Sequence, residues 1–200
     1  QPRSLPTAWV GALAKWVPHI EAAGRSTHSP LIIQGEADMT VDWRYNLEVL
    51  QAAGAELHFF SPLADTALPP CDAVWLPGGY PELHADRIAA NTGMKASLMA
   101  HVLQRKPLWA ECGGMMALFE SITLTDGTQH PVWGLLPGHV TVHKRLAALG
   151  PQQLVVDGHT LRGHTFHYST AQSDAPVVSR TSRPDQPVAA DAGEALYRLG

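Results

Sequence analysis

The 200-residue chain is long enough for one domain with a sizeable core, and its residues are 45% apolar and 16% charged, below the ~25% charged of an average soluble domain. A formal charge of −4 offers a polyanion no footing, so no nucleic-acid partner is expected. The longest apolar runs, such as 73–76, fall far short of the ~20 residues of a bilayer span, and two cysteines cannot build a disulfide framework, so the expectation is a cytoplasmic protein with no membrane partner.

The opening Gln1-Pro2-Arg3-Ser4-Leu5-Pro6 is polar and proline-rich, with neither an initiating Met nor a secretory apolar stretch, and reads as a fragment boundary. Residues 7–23 carry Trp9, Leu13, Trp16, Val17 and Ile20 at helical spacing, with Pro18 set to kink or end the helix. Residues 24–30 are linker by composition. Residues 1–30 therefore read as a peripheral helix and linker, the tail of a missing upstream domain, and residues 31–200 as the main domain.

From residue 31 strands and helices alternate. Leu31-Ile32-Ile33 predicts a buried strand, 46–53 a helix closed by Gly54, 55–60 a strand stopped by Ser61-Pro62, and 73–76 a strand stopped by Pro77-Gly78-Gly79. Residues 84–105 predict one long helical stretch ending at Arg105 and Lys106 before Pro107, followed by a strand over 108–110 and a helix over 115–119. Strands separated by helices pair in parallel through right-handed crossovers, which predicts an α/β fold with a doubly wound, mostly parallel sheet flanked by helices. Beyond residue 121 the segments 132–136, 140–143, 153–156 and 161–169 are strand-like, Asp157-Gly158 marks a hairpin, and 194–199 begins a last strand. This C-terminal portion is expected to be β-rich and antiparallel.

The strongest chemical feature is Pro107-Leu-Trp-Ala-Glu-Cys112-Gly-Gly-Met-Met-Ala-Leu-Phe119. A short apolar strand running into Glu-Cys-Gly-Gly and a helix has the mechanics of a nucleophile elbow, with Cys112 exposed at the carboxyl edge of the sheet. Gly113 and Gly114 let the backbone turn sharply, and the helix behind Cys112 is expected to lower the thiol pKa. Free cysteines are more often small buried hydrophobes, and that reading suits Cys71, between Pro70 and Asp72 at the start of a strand. A second turn, Pro77-Gly78-Gly79-Tyr80-Pro81-Glu82, ends the preceding strand at the same edge. Alone it is only a turn signal; beside a cysteine elbow it can present a backbone N–H to a developing oxyanion.

A thiol needs a base, and eleven histidines compete for that role without periodicity singling one out. His164 and His167 lie on opposite faces of a predicted strand, and no Cys or carboxylate completes a zinc pattern around them, so no metal is expected. His139 and His143 read as pocket or surface residues. Neither a G-x-x-x-x-G-K-[ST] nor a G-x-G-x-x-G stretch occurs, so ATP or a dinucleotide is expected to bind elsewhere.

Leu76-Pro-Gly-Gly-Tyr-Pro-Glu-Leu-His84 and Ala110-Glu-Cys-Gly-Gly-Met-Met116 resemble the C-terminal glutamine amidotransferase domain of cobyrinic acid a,c-diamide synthases. So do Gly134-Leu-Leu-Pro-Gly138, Lys144-Arg-Leu-Ala-Ala-Leu-Gly150 and Leu161-Arg-Gly-His-Thr-Phe-His-Tyr-Ser169, the last looking closest to the hydrogenobyrinic acid branch. The resemblance covers roughly residues 46–200. It implies a class I glutamine amidotransferase-like fold and a glutaminase in which Cys112 takes the acyl group of L-glutamine. Backbone N–H groups of Gly79 and Gly113 would form the oxyanion hole, with Tyr80, Glu82, His164 and His167 as candidate pocket residues. The ammonia would pass to an ATP-dependent synthetase domain or subunit that amidates the a and c carboxylates of a corrin precursor. ATP and Mg belong to that missing part, so no cofactor is expected in this chain. Family members end in a strand of the type Thr-Ala-Ser-Tyr-x-His carrying the catalytic histidine. This sequence stops at Tyr197-Arg-Leu-Gly200 before it, so the domain reads as truncated at its C-terminus and slow in turnover by itself. The segment that opens the family's domain differs as well, being Gln34-Gly-Glu-Ala-Asp-Met-Thr-Val41 here. The alternative reading is an amidotransferase-like binding or scaffold protein without turnover.

Overall fold

A computed structural model describes residues 30–32, 44–184 and 193–199. The expected helix over 7–23 and the segment 34–41 lie outside these residues. Three short strands, β1 (Pro30–Ile32), β2 (Ala73–Leu76) and β3 (Leu108–Ala110), form a parallel sheet in the order β1-β2-β3. In register, Trp75 of β2 pairs with Ile32 on one side and Trp109 on the other. Helix α1 (Arg44–Ala52) leads from β1 toward β2 and ends at Gly54, whose φ of +89° is the left-handed cap conformation glycine adopts freely.

The two-residue period of β2 divides its side chains between two cores. Val74 and Leu76 enter the larger one, with Ile88, Met94, Leu98, Phe119, Ile122, Trp133 and Val140. Trp75 points to the other face and packs with Leu50 of α1. Burying a side chain of this size stabilises the fold by roughly 1.5–3 kcal/mol, which explains why a four-residue strand holds its register.

The expected long helix over 84–105 is two helices, α2 (Ala85–Ala90) and α3 (Thr92–Leu103), preceded by a 3₁₀ turn, Pro81–Leu83. Asn91 makes the break. Its side-chain oxygen accepts the Met94 N–H at 3.1 Å, starting α3, while its Nδ2 donates to the Pro62 and Asp65 carbonyls. Helix α3 then ends at Arg105, in the left-handed region at φ +58°. Cys71 is buried, its sulfur 3.9 Å from Nδ1 of the buried His101, whose Nε2–H donates to the Pro107 carbonyl. Burial pushes the Cys71 thiol up and the His101 imidazole down, the states of a neutral structural contact.

Two expected strands do not form as such. Over 55–60 only His58 carries a bridge, and Phe59 is exposed. Residues 132–136 are instead an irregular buried loop: the N–H groups of Trp133, Gly134 and Leu135 donate to the carbonyls of Ala117, Phe119 and Leu118. The apolar run was real, but it satisfies its backbone on the turn after Met116 rather than on a ladder.

The remaining strands are β4 (Ser121–Thr123), β5 (Gln129–Pro131), β6 (His139–Val142), β7 (Ala148–Val156), β8 (His159–His167), β9 (Ser169–Gln172), β10 (Val177–Arg180) and β11 (Ala195–Tyr197). Strands β5-β4-β6-β9 form a mixed sheet in which only β4 and β6 run parallel. Asp157 and Gly158, at φ +49° and +80°, close the nine-pair β7–β8 hairpin with the positive φ values of a type I′ turn. Strands β10 and β11 pair antiparallel. The expected strand over 161–169 is cut at Tyr168, where the chain leaves β8 and crosses to the mixed sheet as β9. The result is a mixed α/β fold with a parallel sheet and an antiparallel C-terminal portion. Among the described residues no helix is long and apolar enough to cross a membrane.

Candidate active site

Strands β2 and β3 end side by side, β2 running through Pro77 into Gly78-Gly79 and β3 through Glu111-Cys112 into Gly113-Gly114. Helix α4 (Cys112–Met116) begins on the cysteine itself, three residues earlier than periodicity predicts. Cys112 has φ +51° and stands in the left-handed region that residues with a Cβ rarely adopt. Such a conformation costs on the order of 1–3 kcal/mol and persists only where the surroundings impose it. Here the surroundings are tight. A Cβ on Gly113 would come within 2.6 Å of the Gly79 carbonyl carbon, and one on Gly114 would strike the carbonyls of Leu76 and Pro77. A Cβ on Gly78 would touch the Cys112 sulfur at 3.6 Å, whereas one on Gly79 would meet nothing. The two glycine turns are thus interlocked, Gly113 and Gly114 because backbone occupies the space a side chain would need.

The Cys112 residue is open to solvent, and the groups that act on its sulfur are identifiable. Burial of the thiol by the protein around it is the largest influence and pushes its pKa up. The Gly113 and Gly79 backbone N–H groups pull it down, while the Glu111 and Glu82 carboxylates push it up. The sum is upward, which corrects the expectation that the helix would lower it. Helix α4 has only five residues, too short for a substantial dipole, and desolvation with two acids outweighs two N–H donors. At neutral pH the resting thiol is protonated, and among the described residues no imidazole is one of the groups acting on it.

Glu111 precedes Cys112, and sequence reasoning overlooked it. Its Oε1 accepts the Trp75 indole N–H at 2.8 Å, the Trp109 side chain adds a second hydrogen bond, and its own N–H donates to the Leu76 carbonyl at 3.0 Å. Burial raises this carboxyl to about 7. A polar residue between an apolar strand and a cysteine turn was the available signal. Glu82, on the 3₁₀ turn after Gly79, is likewise pushed up by burial. Tyr80 is 57% exposed beside it.

The sequence-selected histidines sit on β8. His164 is exposed. His167 is half-buried, with Nε2 donating to Glu194 Oε1 at 2.9 Å and Nδ1 to the Ser169 carbonyl at 2.8 Å. Both ring nitrogens face acceptors, so the ring is held as an imidazolium and its pKa is raised. Glu194, lowered in turn, also accepts the Thr165 hydroxyl at 2.8 Å. This arrangement ties β8 to the segment before β11. A cavity of about 190 Å³ among the described residues lies between the β7 end and β10–β11, lined by residues such as Val155, Val178 and Arg198, and none of the elbow residues borders it. Among the described residues no three His, Cys, Asp or Glu side chains gather as metal ligands.

Residues 38–190 match the CobB/CobQ-like glutamine amidotransferase domain. The chain is 43% identical over 165 residues to a hydrogenobyrinate a,c-diamide synthase of Pseudomonas aeruginosa, covering 82% of the chain and 37% of that protein. It is 40% identical over 171 residues to a cobyrinate a,c-diamide synthase of Herminiimonas arsenicoxydans, covering 85% of the chain and 38% of that protein. The chain thus spans well under half the length of these curated relatives. A crystal structure of a glutamine amidotransferase superposes with a TM-score of 0.51 at 18% identity, over 76% of this chain and 84% of that one, a likeness of fold alone.

Proposed function

Because the chain belongs to the CobB/CobQ-like glutamine amidotransferase domain family, we propose that it is the glutaminase half of an ATP-dependent amidotransferase, working in the cytoplasm on L-glutamine through a thioester on Cys112. The observation that carries this reading is the left-handed cysteine between β3 and α4 with the Gly79 and Gly113 N–H groups acting on its sulfur. The thiol gives its proton to a base, and the sulfur attacks the side-chain amide carbon of glutamine. The amide oxygen becomes an oxyanion beside the two N–H donors, an interaction worth ~3 kcal/mol per donor in comparable sites. The C–N bond breaks as nitrogen takes a proton, ammonia leaves, and water cleaves the glutamyl thioester to glutamate and free thiol. Tyr80 and Glu82 flank the glycine turn where the rest of the substrate would lie.

The partner implied by the relatives is a synthetase domain or subunit that holds ATP and Mg and uses the ammonia to amidate the a and c carboxylates of a corrin precursor in cobalamin biosynthesis. The names of the relatives and the share of their length beyond this chain support that reading. Among the described residues no imidazole acts on the raised thiol, so turnover calls on a proton acceptor beyond the groups named above. The same observation favours the second reading, a domain that binds without turnover.

A diazoketone analogue of glutamine tests both. Mass spectrometry should find one adduct, on Cys112, suppressed by glutamine and absent in Cys112→Ser, with buried Cys71 unmodified. Glutamate release from the chain alone should be slow. Labelling with no release even after the synthetase partner is added would favour the binding domain. Absence of any Cys112 adduct at pH 8 would overturn the glutaminase.

A further inference from the structure

An indole N–H donates only, so Trp75, packed against Leu50 under the sheet, needs an acceptor, and Glu111 Oε1 supplies it at 2.8 Å. Glu111 is also bound through its backbone: its N–H donates to Leu76, and its carbonyl accepts from Gly114 and Met115 at 3.0 and 3.4 Å. Side chain and main chain therefore tie one residue both to β2, which leads into the Gly78-Gly79 turn, and to the first turn of α4. The residue between these ties and the helix is Cys112. A glutamine would accept the same indole hydrogen without bringing a carboxylate into a partly desolvated site, so the acid is not explained by the hydrogen bond alone.

Building on the glutaminase reading, we propose that Glu111 is the positioning residue of the elbow: gripped by the Trp75 indole, its carboxyl holds the Cys112 turn against β2, keeps the sulfur on the Gly79 and Gly113 N–H groups, and sets the charge beside it. Truncating it leaves the Trp75 N–H without this acceptor and frees the turn to relax from its left-handed conformation. Misplacing a reacting atom by about 1 Å costs up to ~100-fold in rate. The charge has its own consequence. With its carboxyl at about 7, Glu111 ionises across neutrality and opposes the thiolate as it does so. Glu82 also opposes the thiolate, and His84 acts in turn on Glu82, so Glu82 is the other acid to control for.

The test measures two reactions of Cys112 over pH 5.5–10 in the wild type and in Glu111→Ala, Glu111→Gln, Trp75→Phe and Glu82→Gln: alkylation by iodoacetamide, and labelling by the diazoketone. Glu111→Ala and Trp75→Phe should lose about tenfold or more in diazoketone labelling relative to iodoacetamide, a ratio that mere loss of stability would not move. Glu111→Gln should recover most of that loss, shift the iodoacetamide profile to lower pH, and erase its inflection near pH 7, which Glu82→Gln should retain. A wild-type labelling ratio in both Glu111→Ala and Trp75→Phe would overturn the positioning role, and if Glu111→Ala does not fold, Trp75→Phe decides it. An inflection near 7 that survives Glu111→Gln would overturn the role of the charge. A wild-type chain that reacts with iodoacetamide but never with the diazoketone would sink the glutaminase reading instead, and the iodoacetamide profiles would still judge Glu111.

Discussion

Around β2 and β3 the groups that act on Cys112 come from its own turn and from the turn after β2, which parallel strand pairing brings to one sheet edge, whereas around β8 the His167 side chain is tied to Glu194, 27 residues further on. The first region is shaped by backbone packing, two glycine turns interlocked at one sheet edge. The second is held by a long-range ion pair and by a hairpin whose turn is chemically specified. The contrast separates two kinds of side chain. Cys112 is left open and strained, while His167 has both nitrogens occupied and acts as a tie.

The sharpest way to break this comparison is the glycine pair. Gly113→Ala should cost about 3 kcal/mol or more, because the added carbon meets fixed Gly79 backbone, while Gly79→Ala, which meets nothing, should cost less than about 1. Chemical denaturation of the two variants measures both, and equal losses would mean that the turns are not interlocked. Glu111 comes next. Its folded pKa of about 7 lies above the ordinary 4.5, so the folded state holds the proton more tightly and stability falls as pH rises from about 4.5 to 7. The loss should be about 3 kcal/mol, and denaturation midpoints of Glu111→Gln should lack that slope.

The His167–Glu194 tie gives a smaller effect with a different pH window. His167 is raised, so its contribution is complete below pH 6.5 and fades as pH climbs through its folded value. Glu194 is lowered, so its contribution is complete above pH 4.5 and is lost as pH falls through its folded value. The pair should therefore stabilise most between pH 4.5 and 6.5, and thermal melts of His167→Gln should show their largest deficit there. Glu194 is 42% exposed, so solvent screening keeps the difference modest. Smallest is Gly158→Ala, expected to cost about 1 kcal/mol because an alanine must take φ +80° in the hairpin turn. Hydrogen exchange should place that loss in β7 and β8 and leave the elbow unchanged.

The elbow was legible because its signals are short-range: apolar runs set β2 and β3, and Gly113 and Gly114 stand where backbone leaves no room for a side chain. The Asp157-Gly158 hairpin was legible for the same reason. The break in the helix at Asn91 was not, since an asparagine there becomes a cap only when Pro62 and Asp65 offer carbonyls to its amide. The loop over 132–136 misled because a buried apolar run looks alike whether its N–H groups meet a strand or a turn.

By itself the sequence determined the strands β2 and β3, the cysteine at the head of a tight turn and the glycines around it, since periodicity and steric permission act over a few residues. Only the tertiary structure decided the protonation of that cysteine, the burial of Glu111 between two indoles, and the commitment of His167 to Glu194. These depend on how much water and which distant charge each group meets, and that is settled when separate segments pack together.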